Sequence, residues 1–340
     1  MKLPAASVAV LGLLVLGTAC AQTDVDETDA EGTAVDQMEG EPTELATTVA
    51  PEVPGIVAGG TPVEFIRDGF EGTEGPIPLP DGDLIFTETD ASRITRIAVD
   101  GEISTYLEDT NGSNALGFDP DGRLISVQTT PGQTRVGVIL PSEDAEVFAE
   151  NFEGRPFGRP NDMIVSSDGD IYFTEPGVGG EGDADPAIYN IPAGGDLRVA
   201  YHADDIGFPN GITLSPDERV LYVNDAQGPF LVAFDVQPDG TLINRRDFAA
   251  YEEVPPAENG TVSSRADGLA VDTEGRIYSA VPPGVQIFSP EGEHLGTIPV
   301  PVRVQNLAFA GPDKQTLYLV GSGSAYKVQM LAEGFGGRPK

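Results

Sequence analysis

One unit of sequence recurs six times between Thr61 and the end of the chain, and that recurrence constrains the fold more than any other feature. The unit reads strand, Asp-Gly-type turn, strand. It appears as Leu79-Pro80-Asp81-Gly82-Asp83-Leu84-Ile85-Phe86, then as Asp119-Pro120-Asp121-Gly122-Arg123-Leu124-Ile125, then as Ser167-Asp168-Gly169-Asp170-Ile171-Tyr172-Phe173. Ser215-Pro216-Asp217-Glu218, Thr273-Glu274-Gly275-Arg276 and Gly311-Pro312-Asp313-Lys314 open the same turn in the last three units. Successive turns lie roughly 40 to 57 residues apart, the period of propeller blades with four strands each. Further hairpins fill each period, such as Arg93 to Ala98 with Glu102 to Leu107, and Val285 to Phe288 with Glu293 to Ile298, joined by Asp-Gly and Pro-Glu-Gly turn chemistry.

The sixth unit offers only three strands before the chain ends, and an orphan strand, Pro62 to Ile66, precedes the first. The economical solution lets the orphan complete the last blade, which closes the ring and hides its sheet edges. The expected fold is therefore all-β: a six-bladed β-propeller over residues 58–335, with four-stranded blades, closed by an N-terminal strand. A pair of β-sandwiches is the competing arrangement, but six like units suit one ring better.

Composition agrees and removes some functions. The 42 Gly and 29 Pro suit many short strands joined by turns. Lys plus Arg total 19 against 55 Asp plus Glu, a formal net charge of -36. That balance excludes nucleic acid, which needs cationic partners, and argues against docking on an anionic membrane surface.

Cys20 is the only cysteine, so neither a disulfide nor a thiolate metal cluster is expected. Lys2, an apolar run from Ala5 to Leu16, and Gly17-Thr18-Ala19-Cys20 together resemble a lipoprotein-type signal peptide over residues 1–20, with Cys20 as the lipidated residue. Cleavage after Ala19-Cys20-Ala21 and plain secretion is the alternative. Residues 21–57 carry ten acidic residues and no Lys or Arg, and read as a disordered acidic tether. On that reading the protein is exported to a bacterial cell envelope, touches membrane only through its lipid, acts as a monomer, and folds from a start near Gly59.

Eight residues before each turn position stands Glu74, Asn114, Asn161, Asn210, Asp267 or Asn306. Each precedes an apolar strand, so each blade would place one oxygen-bearing side chain at the mouth of its innermost strand, around the central channel. Asn and Asp before Gly also form turns, and Asn210-Gly211 and Asp267-Gly268 fit that bland explanation. Six in register, one of them Glu, favour a site. Neutral amides with two carboxylates suit a hard cation such as Ca²⁺, whereas Zn²⁺ prefers His or Cys and Mg²⁺ a tighter octahedron. His202 and His294 have no ligand spacing and read as surface residues. Gly177-Val178-Gly179-Gly180-Glu181-Gly182 is acidic and lacks phosphate-cradle context, so it reads as a loop.

Arg159-Pro160-Asn161-Asp162-Met163-Ile164-Val165, Pro209-Asn210-Gly211-Ile212, Asp267-Gly268-Leu269-Ala270-Val271-Asp272 and Glu74-Gly75-Pro76 together resemble the signatures of the gluconolactonase/senescence-marker-protein-30 family. The resemblance runs from about Glu64 to Val328. It implies a six-bladed propeller with one divalent cation, usually Ca²⁺ with Zn²⁺, Mg²⁺ and Mn²⁺ as alternatives, that hydrolyses sugar lactones. It implies Glu74, Asn161, Asn210 and Asp267 as metal ligands, Arg159 and Asn161 as substrate contacts, and Asp267 as catalytic acid/base. The chain departs from the family at Pro78, where an aromatic residue is usual, at Glu175-Pro176, where Asp-Pro is usual, and at Ala266, where Pro is usual.

The expected function is metal-dependent hydrolysis of a small lactone or ester, with the cation polarising the carbonyl. A calcium-dependent phosphotriesterase or arylesterase would use the same ligand set, and a non-catalytic ligand-binding propeller is the third reading, since fold does not fix reaction.

Overall fold

The computed structural model describes residues 48–177, 185–254, 256 and 262–337. The leader, Cys20 and most of the acidic segment lie outside the described residues, as do residues 178–182 of the Gly-rich loop. Six four-stranded antiparallel sheets account for nearly all the regular structure. The one helical element among the described residues is a 3-10 turn, Ser142–Asp144.

Blade one runs Thr73–Pro78, Leu84–Glu88, Arg93–Ile97, Ile103–Glu108, and each later blade repeats that up-and-down order. The first strands are Thr73–Pro78, Ser113–Phe118, Met163–Val165, Pro209–Leu214, Leu269–Val271 and Asn306–Ala310. Each neighbours the first strand of the next blade, and the sixth returns to the first, so they line one ring. The chain is a six-bladed β-propeller. Every repeated turn uses a left-handed residue between first and second strands: Gly82, Gly122, Gly169 and Gly275, with Glu218 and Lys314 in the same conformation in blades four and six.

Blade six is completed as the repeat count requires. Glu64–Asp68 pairs antiparallel with Ser324–Gln329, Glu64 opposite Lys327 and Phe65 opposite Tyr326. The two rings meet edge-on at 5.4 Å, and Lys327 Nζ lies 3.4 Å from Glu64 Oε2. Between blades, apolar side chains from facing sheets form the core, with Phe86, Phe173, Phe234 and Phe288 fully buried.

The tether boundary needs correction. Residues 48–57 are part of the propeller's packing and not a spacer. Ala50, Val53, Ile56 and Val57 are buried among side chains of blades five and six, including Tyr278, Ile287, Leu317 and Tyr326. Ile56 O accepts hydrogen bonds from Leu331 N and Ala332 N, joining both ends of the fold. A chain starting near Gly59 would expose this apolar surface, so the expectation that it keeps the whole fold does not hold. Four apolar residues without periodicity carry too little signal to stand out from the acidic sequence before them.

Candidate functional site

The six residues singled out by the repeat share one end of the ring. Glu74, Asn114, Asn210 and Asn306 lie at or near the start of their inner strands, and Asn161 and Asp267 stand two residues before theirs. None is a turn residue. The glycines after them answer a different need: a Cβ on Gly75 would strike the Asn114 carbonyl, one on Gly211 the Asp267 carbonyl, and one on Gly268 the Asn306 side chain. Adjacent inner strands approach so closely here that only a hydrogen fits.

A cavity of about 480 Å³ opens at this end. Its lining includes Glu74, Asn114, Asn161, Asn210, Asp267 and Arg159, so every proposed site residue faces one space. Asn306 is the exception among the ring residues. Its Nδ2 donates to Glu74 Oε2 (3.2 Å) and its Oδ1 accepts from Leu307 N (2.9 Å), so it orients Glu74 from behind. Asn114 is tied as well, donating to Asn161 O (3.1 Å) and accepting from Thr89 Oγ1 (3.3 Å). The ring thus divides into residues free to act and residues that hold them.

Glu74 and Asp267 are both buried. Burial pushes the Glu74 carboxyl up to about 7; the Asn306 amide opposes this, the Asp162 charge adds to it, and Gln305 Nε2 at 3.2 Å pulls back. Asp267 is raised well above the usual carboxylate range, first by burial and then by the Glu74 charge. Arg303 counters this, with Nη2 2.9 Å from Asp267 Oδ2. The Asp267 backbone is locked by Asp267 N to Ala280 O (2.9 Å) and by Asn224 Nδ2 to Asp267 O (2.5 Å).

These residues fit a hard cation. Asn210 Nδ2 donates to Ala266 O (3.2 Å), which leaves Asn210 Oδ1 buried without a hydrogen-bond partner in the protein. Two undercompensated carboxylates beside an orphaned amide oxygen make an all-oxygen donor set. Among the described residues no three His, Cys, Asp or Glu side chains converge, so amide oxygens would have to complete the coordination.

Matching this chain with known proteins places it. A family model described as "SMP-30/Gluconolactonase/LRE-like region" matches residues 73–323. The chain belongs to that family. The gluconolactonase of Zymomonas mobilis is 27% identical over 320 residues, covering 87% of this chain and 89% of that one. Regucalcin of Danio rerio is 31% identical over 282 residues, covering 81% and 90%. The solved structure of a Xanthomonas campestris gluconolactonase superposes with a TM-score of 0.71 at 25% identity, over 84% of this chain and 94% of that one.

Within this SMP-30/gluconolactonase-type site, three functional groups lie beyond what the repeat marks. Arg303 and Gln305 sit just before Asn306, where the other repeats carry unlike residues, so periodicity gives no signal. Arg265 does leave one: it stands two residues before Asp267, as Arg159 stands two before Asn161. Glu175, the departure from the family's Asp-Pro, is fully buried, and its Oε1 accepts from Arg159 N (3.3 Å) and Gly177 N (2.8 Å). It shapes the loop that presents Arg159.

Proposed function

We propose that the protein hydrolyses a lactone in this cavity with the help of a divalent cation, Ca²⁺ being the best fit, held by Glu74, Asn161, Asn210 and Asp267. The observation that carries the reading is the pair of buried, undercompensated carboxylates beside the orphaned Asn210 oxygen. Named lactonases among the relatives support the reaction class, including the Zymomonas mobilis gluconolactonase and a Haloferax volcanii pentonolactonase. A cation bound there would polarise the lactone carbonyl as a Lewis acid.

Asp267 is the acid/base in this proposal. Arg303 engages its Oδ2, leaving Oδ1 to take the proton of the attacking water. As the water oxygen bonds to the carbonyl carbon, Oδ1 receives that proton. When the ring C–O bond breaks, Oδ1 returns it to the departing ring oxygen. Burial strengthens the base, and the Arg303 charge beside it works against that rise. Arg159 and Asn161 hold the substrate at the cavity mouth, and Gln305 with Asn306 fixes the Glu74 carboxylate.

The test is a lactone panel assayed on chelator-treated protein with Ca²⁺, Mg²⁺, Mn²⁺ or Zn²⁺ returned singly. Turnover restored best by Ca²⁺ supports the proposal; undiminished turnover after complete metal removal would sink the cation's role. Anchoring through Cys20 is part of the same proposal, and unchanged membrane retention of Cys20→Ser in a bacterial host would refute it.

A further inference from the structure

The charge at the cavity is out of keeping with the rest of the chain. The whole protein carries a formal charge of -36, yet the cavity lining holds Arg159, Arg265 and Arg303 against Glu74, Asp90 and Asp267. Elsewhere arginines are consumed by the surplus of acid. Eight form ion pairs with carboxylates, and within the cavity Arg303 pairs with Asp267. Arg67 lies over the Phe70 ring, Arg135 bonds Gln128 and Arg198 bonds Asn190. Arg159 and Arg265 alone, among the described residues, have a guanidinium with no such partner, and both line this cavity.

Their placement follows the repeat. Arg159 in blade three and Arg265 in blade five occupy the position two before the ring residue, and Phe208 occupies it in blade four between them. The exposed Arg265 has a left-handed backbone, φ 55°, a conformation that costs a non-glycine residue free energy. The surroundings hold it there: Arg265 N donates to Ala226 O (2.8 Å), Ser264 Oγ to Asp225 O (2.8 Å) and Ala266 N to Ser264 Oγ (3.1 Å). The Asp225 carboxylate in turn accepts from Gly207 N, Phe208 N and Gln227 N, at 3.0 Å each, which sets the neighbouring loop.

We propose that Arg159 and Arg265 form a two-armed clamp for an anion, so that the substrate is a lactone bearing a second, negatively charged group, a carboxylate or a phosphate, remote from its reacting carbonyl. Planar guanidinium groups match both anions, and a partner-free pair at a cavity mouth gains the full charge-assisted interaction on binding. The clamp rests on the lactone-hydrolase reading only for the rest of the substrate. The nascent product carboxylate forms at the reacting carbon, beside the buried Glu74 and Asp267 on the proposed reading, whereas both arginines are exposed residues of the lining, so product binding leaves their pairing unexplained.

The test has a binding arm and a turnover arm, both on the full chain with Ca²⁺ present. Isothermal titration with gluconate, glucarate and 6-phosphogluconate compares ligands that share the product carboxylate and differ in a second anion. We expect glucarate or 6-phosphogluconate to bind about 10- to 100-fold tighter than gluconate, the winner identifying carboxylate or phosphate. In Arg265→Gln that preference should collapse toward unity, and Arg265→Lys should restore part of it. The matching lactones, glucono-1,5-lactone, glucaro-1,4-lactone and 6-phosphoglucono-1,5-lactone, should show the same preference in kcat/KM. Equal affinities in the unaltered protein, or a preference untouched by Arg265→Gln, would overturn the clamp. A dianion preference with no lactone turned over would retain the clamp and overturn the hydrolase reading.

Discussion

Glu74 and Glu88 sit in adjacent strands of one hairpin, Glu74 opposite Thr87 and Glu88 opposite Thr73. Both are buried. Burial raises Glu88 too, but Arg93 reaches it with Nε at 3.0 Å and Nη2 at 2.7 Å, and Thr95 and Glu71 N add donors, so it ends below the usual carboxylate value. Glu74 receives only neutral amides and ends near 7. In blade five, fully buried Asp272 is met by Arg276 Nε at 2.6 Å and Tyr278 OH at 2.9 Å, while Asp267, met by Arg303 Nη2 at 2.9 Å, is raised by burial and by the Glu74 charge. Glu88 and Asp272 are thus given charged and hydrogen-bonding partners, as stability requires, whereas Glu175, at the same end of its own blade strand, keeps a buried Oε2 without a hydrogen-bond partner. At the mouth the complement is left short, which is what a site for a cation or a proton needs.

Substitutions on the two sides of this contrast should fail in different ways. Asp267→Asn should lower kcat/KM by about 1,000-fold or more while the protein still melts as a folded domain, because it removes the proton acceptor and little packing. Glu88→Ala should do the reverse, lowering stability by about 2–3 kcal/mol in denaturant titrations with kcat nearly kept, since it strands Arg93 and Thr95. Should Asp267→Asn merely unfold the protein, the distinction between mouth and blade carboxylates collapses.

The pH dependence of stability should separate the two glutamates by sign. Glu74 has a raised pKa, so its protonated form favours the fold: the contribution is complete below about 4.5 and is lost as pH rises through about 7. Glu88 is lowered, so its contribution is present above about 4.5 and is lost as pH falls through its folded value. Melting curves of the metal-free protein should therefore decline between pH 4.5 and 7.5, and Glu74→Gln should flatten that decline while Glu88→Gln changes only the acid limb. Added Ca²⁺ should abolish the decline in the unaltered protein. A decline of equal slope in Glu74→Gln would assign it to Asp267, raised in the same direction, or to general charge repulsion instead.

Asn306→Ala should have the smallest effect. It removes one donor from Glu74 without touching the cavity lining, so cation affinity should drop about 10-fold and excess Ca²⁺ should recover the activity. Loss that excess Ca²⁺ cannot repair would place Asn306 among the groups that act on substrate.

Much of the fold and half of the site are legible in the amino-acid sequence alone. Turn chemistry and strand alternation are local, so the six repeats and their period report the propeller, and the missing strand of the last repeat points to Glu64–Asp68 as its closure. One register position, read across six repeats, marks Glu74, Asn114, Asn161, Asn210, Asp267 and Asn306 together, because symmetry carries equivalent positions to one place, and only the family resemblance singles out Glu74, Asn161, Asn210 and Asp267. What symmetry does not carry comes from tertiary contacts. Asn306 and Asn114 look like Asn210 in sequence, yet hydrogen bonds across blades make them supports and leave only Asn210 Oδ1 bare. Arg303 reaches Asp267 across 36 residues, and Glu88 differs from Glu74 only through the partners that folding brings. Ala50, Val53, Ile56 and Val57 become core because blades five and six offer them an apolar surface. Local sequence sets backbone conformation and face; which partners a buried polar group finds depends on neighbours distant in the chain, as Asp267 with Arg303 and Glu74 with Asn306 show.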